Sequence, residues 1–224
     1  MRQIERTTNE NGRAYAIRAI RENIISLDLA PGMHVSANDL TAELGLSRGP
    51  IREALNELSK TGIVEVYPQS GCRISLIDEE VINEARFFRR SLECAIAGEA
   101  AQKASEEDIR ALEENMVLQN FYLENHLGEK LLEADDGFHK KLFEIAGMQN
   151  VYDLMKNFCI HLDRLRRLSI RTIKDIRIVE DHQKILQAIR EGRAEDAGRQ
   201  MKEHLNRDTT DILTIRKQNP DYFS

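Results

Sequence analysis

Strand-forming sequence is confined to one short stretch of this chain. Ile63-Val64-Glu65-Val66-Tyr67 is β-branched and brief, Pro68-Gln69-Ser70-Gly71 is turn chemistry, and Cys72-Arg73-Ile74-Ser75 is brief again. Two small strands around a tight turn read as a hairpin. The rest is written in helix formers, chiefly Ala, Leu, Glu, Arg, Lys and Ile. One hairpin among helices cannot close a β-sandwich or a barrel. Aromatic residues are only 5% and Trp is absent, which fits a mainly α protein. At 224 residues the chain has room for one large domain or two small ones, with a core that needs no covalent staples.

No apolar run approaches the roughly 18 residues of a membrane-spanning helix. Met1 to Gly12 is polar and mixed in charge, without the apolar centre of a signal peptide. Cys72, Cys94 and Cys159 are widely spaced and odd in number, so a disulfide framework is not expected and a reducing cytoplasm is. The net charge of −6 speaks against a protein that coats nucleic acid. That charge is unevenly placed. Residues 1–75 carry nine Lys/Arg and nine Asp/Glu, so the whole excess lies in 76–224. A local basic face for DNA is therefore open to the N-terminal part and not to the C-terminal part.

Ahead of the hairpin the helices are short. Arg13 to Ser26 places Ile17, Ile20, Ile24 and Ile25 at i, i+3, i+7, i+8, and Pro31-Gly32 turns the chain. Ser36 can cap a second helix with Leu40 and Leu44 inward, which Gly45 ends. Ser47 can cap a third, with Pro50 in its first turn, Ile51, Ala54, Leu55 and Leu58 on its apolar face and Gly62 as its stop. Two short helices joined by Gly45-Leu46 read as a helix-turn-helix, and the hairpin after them as a wing. From Asp78 onward only helices are expected, capped by Asp78 and Ser105, then at about 128–145, 150–168, 173–191 and 194–216. That makes a bundle of about six helices. The predicted division is a winged helix-turn-helix at 1–76 and an all-α bundle at 77–224.

The run Leu44-Gly45-Leu46-Ser47-Arg48-Gly49-Pro50-Ile51-Arg52-Glu53-Ala54-Leu55, with Pro31-Gly32, Ser36 to Leu40, Leu58, Gly62-Ile63-Val64 and Gly71 in order, resembles the GntR family of bacterial winged-helix transcription regulators. The resemblance implies DNA binding. Arg48 and Arg52 are i and i+4, so they project from one face near the start of the third helix. A guanidinium fork there suits guanine O6 and N7, or a phosphate. Ser47 and the helix N-terminus suit a phosphate, the bare Gly49 permits close backbone approach, and Ser36, the cap of the second helix, joins the expected DNA-binding residues. Gly71 in the wing and Arg73 beside it complete the expected contact set. The chain departs from the family at Asn38, where many members carry Arg. The bland reading of Arg48 and Arg52 is a solvated face, with Arg52 paired to Asp39 or to neighbours of Glu53. Two half-sites on one duplex imply a homodimer on a near-palindromic operator.

In the C-terminal part, Asp135 and His139 are also i and i+4 and share one helix face. His182 and His204 fall on two later helices. Read singly, each His is an ordinary solvated or hydrogen-bonded residue, and Asp135-Asp136 is surface charge. Taken together, Asp135, Phe138, His139, His182 and His204 resemble the FCD effector domain of the FadR subgroup, over roughly 80–215. Three imidazoles and one carboxylate suit a divalent transition metal such as Zn or Ni. The resemblance implies a small organic acid as effector, with Arg89 clamping its carboxylate. His161 is a candidate pocket-lining residue, and His126 is surface. Arg90 and Glu93 read as helix surface or a dimer seam.

The expected function is a metabolite-responsive, cytoplasmic DNA-binding regulator, with repression as the favoured sign, and not an enzyme. Two alternatives stand beside it. One is a metal-dependent enzyme with a DNA-binding appendage and Glu203 as its base. The other is a dimeric DNA-binding protein whose metal site is purely structural.

Overall fold

The structure is a computed structural model that describes residues 1–67, 71–170, 177–207 and 212–224. The chain divides into two compact units. One gathers Met1–Ile82, Ile160–Arg167 and Leu213–Ser224; the other gathers Asn83–Cys159 and Leu168–Ile212.

The first unit opens with helices α1 (Gly12–Ile25), α2 (Ala37–Leu44) and α3 (Arg48–Ser59). Asn11 caps α1 by accepting from the Ala14 amide. Ser36 caps α2 in a reciprocal box with Asp39, as its sequence suggests, and Gly45 ends that helix in the left-handed conformation. The buried stripe of α1 is Ala16, Ala19, Ile20, Asn23 and Ile24, while Ile17 and Ile25 are only partly buried. Ile20 and Ile24 meet Leu40, Ile51, Ala54, Leu55 and Leu58 in one cluster.

The sheet has three strands rather than the two of the expected hairpin. Strands β1 (His34–Val35), β2 (Val64–Tyr67) and β3 (Gly71–Ile74) pair antiparallel in the order β1-β3-β2. His34 and Val35 face Arg73 and Cys72. A two-residue strand leaves no alternation to read, so this one was invisible in the sequence. The turn 68–70 lies outside the described residues. The C-terminal segment returns to this unit. After α11 (Ile212–Gln218) and a 3-10 turn at Pro220–Tyr222, the Ile77 amide donates to Tyr222 O at 2.7 Å and Ser224 N to Ile77 O at 3.1 Å.

The helices beyond the wing are α4 (Glu79–Lys103), α5 (Glu106–Glu124), α6 (Gly128–Ala146), α7 (Gln149–Phe158), α8 (Ile160–Ile170), α9 (Arg177–Arg190) and α10 (Ala194–Arg207), with α11 after them. Asp78 accepts from the Glu80 and Val81 amides, and Ser105 forms a capping box with Asp108, so both expected caps form. The expected helix at 150–168 is two, α7 and α8, parted at Cys159. No Gly or Pro marks that break. The expected helices at 173–191 and 194–216 begin and continue through residues outside the described set. Within the second unit α5 packs on α6 and on α9, and α9 on α10. α10 also lies close on α4, because a Cβ at Gly198 would meet Cys94 O at 2.9 Å.

Candidate functional site

In the first unit, Ser47, Arg48, Gly49 and Arg52 are all exposed at the start of α3, opposite the face that Ile51, Ala54, Leu55 and Leu58 bury. Ser47 holds the N-cap position in extended backbone, but its hydroxyl does not cap the helix, contrary to expectation. The Ser36 hydroxyl, in contrast, is engaged within its capping box, accepting from the Asp39 amide and donating to the Asp39 carboxylate at 2.7 Å. Among the described residues neither Arg48 nor Arg52 forms an ion pair, and Asp39 serves Ser36 rather than Arg52. The solvated-face reading with paired arginines therefore fails in its specific form. Arg73 is half-buried on β3 between His34 and Glu65. Gly71 opens β3 opposite Tyr67 at φ +91°, and a Cβ there would meet Val35 O at 3.2 Å. Both its backbone angle and its neighbour require a glycine.

The second unit brings Asp135, His139, His182 and His204 together. Their ligand atoms lie within 4.8 Å of one another, and all four residues are buried. α6 supplies Asp135 and His139 from one face, α9 supplies His182 and α10 supplies His204. His182 Nε2 is 3.3 Å from His204 Nε2 and 3.6 Å from Asp135 Oδ1; His139 Nε2 is 3.9 Å from the same oxygen. Phe138 stacks on His182 at a centroid distance of 4.2 Å.

Each histidine turns its other ring nitrogen outward to an oxygen. His139 Nδ1 meets Glu93, His182 Nδ1 meets Gln119 Oε1 at 2.8 Å, and His204 Nδ1 lies 3.7 Å from Asp181 Oδ2. The three Nε2 atoms thus share the interior. Burial pushes both His139 and His182 below the ordinary histidine range. Burial alone would raise the Glu93 carboxyl, but Arg89 and His139 outweigh it and hold it ionised. Arg89 Nε donates to Glu93 Oε1 at 2.7 Å, so Arg89 does sit at the cluster, already paired.

These placements correct several expectations. Glu93 is buried against His139 and is neither surface nor seam. His161 falls in the first unit, where its Nδ1 lies 2.9 Å from the Arg164 guanidinium. Glu203 is exposed and paired with Arg199, which removes it as a base for the enzyme alternative. Gln119, Asn115 and Asp181 went unread. One signal for Gln119 was present: it continues the stripe of Ile109, Leu112 and Met116, a polar residue at an apolar position.

The cluster suits a metal ion by its own chemistry. His139 Nε2 is buried without a hydrogen-bond partner among the described residues. Donors about 2.1 Å from a common ion stand roughly 3–3.4 Å apart in octahedral or tetrahedral arrangement. The observed spacings need only small side-chain adjustments to match.

Comparison with known proteins joins the two halves. Residues 14–74 match the bacterial regulatory proteins of the gntR family, and residues 84–207 match the FCD domain. A DNA-binding module followed by a helical domain is the build of a transcription regulator, not of an enzyme. The chain belongs to the GntR family of bacterial transcription regulators, among the members that carry an FCD domain. It is 29% identical over 223 residues to the HTH-type transcriptional repressor RspR of Escherichia coli K12, covering 99% of this chain and 97% of that one. It is 32% identical over 209 residues to an HTH-type transcriptional regulator of Streptomyces ambofaciens, covering 92% and 86%. Its fold is similar to that of E. coli McbR/YncC, with a TM-score of 0.80 at 16% identity over 94% of this chain and 99% of that one. Among the described residues no helix is long and apolar enough to cross a membrane.

Proposed function

We propose that this regulator is a metabolite-responsive repressor whose helical domain senses a small organic acid at a transition-metal site. The observation that carries the reading is the buried convergence of Asp135, His139, His182 and His204, with three outer oxygens turning the Nε2 atoms inward. These four residues hold the ion, zinc or nickel, which supplies Lewis acidity and open positions for an effector oxygen. An effector carboxylate meets Arg89, and does so in competition with Glu93. Residues 77–224 carry this sensing and dimerisation; residues 1–76 read DNA.

The homodimer binds a near-palindromic double-stranded operator in the cytoplasm. Arg48 and Arg52 read base edges or phosphates; Ser47, Gly49, Gly71 and Arg73 support close approach, and Ser36 acts by setting the start of α2. Effector binding shifts the spacing of the two recognition helices, to the extent that it favours one state over the other. The repressor name of the E. coli relative supports the sign.

The test is elemental mass spectrometry of protein purified without chelator, beside His139→Ala and His204→Ala. About one transition-metal ion per chain, absent from both variants, is expected. No metal, and no uptake on titration, overturns the sensing site and leaves the DNA-binding half standing. A metal-loaded protein whose operator affinity ignores every small carboxylic acid tried favours a purely structural ion.

A further inference from the structure

Three hydrogen bonds run in series through the second unit. Asn115 Nδ2 donates to Ala134 O at 3.0 Å. Gln119 Nε2 donates to Asn115 Oδ1 at 2.6 Å. Gln119 Oε1 then stands 2.8 Å from His182 Nδ1. The direction of this chain is fixed at its far end, because a backbone carbonyl can only accept. Asn115 must therefore present its nitrogen to Ala134 and its oxygen to Gln119. Gln119 must spend its nitrogen on Asn115 and turn its oxygen to His182. The His182 Nδ1 atom has to carry the proton, and Nε2 is left as a lone pair aimed at His204 and Asp135.

Packing cannot make that choice. The Phe138 ring stacks on His182 and sets the plane of the imidazole. A stacked ring does not distinguish nitrogen from carbon, nor one tautomer from the other. Only an acceptor of fixed polarity does. Gln119 and His182 are both fully buried, so water does not supply that acceptor. The series also starts at the residue before Asp135, so it ties the α6 ligand to the α9 ligand.

We propose that Gln119, oriented by Asn115, is a positioning residue that fixes His182 in its Nδ1–H form and turns its Nε2 lone pair into the Asp135–His139–His204 cluster. The tautomer assignment stands on these hydrogen bonds alone. Its effect on affinity rests on the metal reading above.

The experiment uses the full-length protein, metal-free, with 15N-labelled histidine and the ring nitrogens of His182 read by NMR. Zinc affinity is measured separately, by competition with a chelator. Wild type is expected to show a protonated Nδ1 and an unprotonated Nε2. Gln119→Leu is expected to lose that signature and to bind zinc about 10- to 100-fold more weakly. Gln119→Glu keeps an acceptor at the same place, so it keeps the signature and stays within about threefold of wild-type affinity. Should Gln119→Leu fail to fold, Asn115→Ala serves, since it spares the glutamine but frees its amide. It is expected to give a mixed tautomer signal. An unchanged His182 signature in Gln119→Leu or Asn115→Ala overturns the proposal. If wild type takes up no zinc, the metal reading falls, and the NMR result still decides the role of Gln119.

Discussion

Arg164 heads the fully buried side chains by volume, and its replacement by methionine has a sign that has to be worked out. Its guanidinium donates to Ser75 O at 2.7 Å and to Leu76 O at 3.0 Å, and lies 2.9 Å from His161 Nδ1. Those two carbonyls belong to the segment that leaves β3 toward α4. Two effects oppose each other in Arg164→Met. Burial pulls the Arg164 pKa down to about 10, so carrying the charge costs the folded chain on the order of 3 kcal/mol, which methionine relieves. Against that, two hydrogen bonds from a charged donor to carbonyls disappear, at about 1.5–3 kcal/mol each, and the guanidinium's hydrogen bond to His161 Nδ1 goes with them. The shorter side chain leaves a small void as well. The losses win by about 1–3 kcal/mol on this accounting. Hydrogen exchange is the right assay, because the effect is local. The Ser75 amide, bonded to Ile63 O, and the Ile77 amide, bonded to Tyr222 O, are the reporters. Their protection should fall by roughly tenfold or more. Arg164→Lys keeps the charge but loses the fork, and should protect no better than methionine. Protection that is unchanged or higher in Arg164→Met would mean that desolvation outweighs the hydrogen bonds, and the argument would be wrong.

Two further outcomes follow from the same unit. His161 is held down to about 4 by burial and by Arg164, against a smaller opposing pull from Asp78. The unfolded chain therefore takes up a proton near pH 6.5 that the folded chain refuses. This contribution is complete above pH 6.5 and is lost toward pH 4, to the extent of about 3 kcal/mol. Thermal melts from pH 7.5 to 4.5 should show a falling Tm whose slope lessens in His161→Gln; equal slopes would contradict it. Arg48→Ala should lower specific operator affinity by about 1–3 kcal/mol, roughly 5- to 150-fold, with the dimer intact. Wild-type affinity in a gel-shift titration would remove Arg48 from the DNA contacts.

The two halves of this chain were unequally legible, and the reason is physical. The winged helix declares itself locally: the cap at Ser36, the left-handed stop at Gly45 and the apolar face of α3 all rest on neighbours a few residues apart. What escaped was non-local or too short to carry a period. β1 has two residues, and the return of Phe223 to Ile77 joins positions 146 apart. The metal-type cluster lies between these extremes. Its four donors were readable through the resemblance to the FCD pattern, which picks Asp135, His139, His182 and His204 out of residues that read singly as ordinary; geometry alone joined only Asp135 and His139 on one helix face. Its outer acceptors were not, because Glu, Gln and Asn occur on any solvated helix, and a charged residue on α4 is by default surface. Yet burial reverses that default. A glutamine on the stripe of Leu112 and Met116, or a glutamate four residues after an arginine on a helix that must bury one face, is costly unless something inside needs it. In this chain that something is a histidine ring nitrogen in both cases, so polar intrusions into an apolar stripe point to the same centre as the histidines themselves.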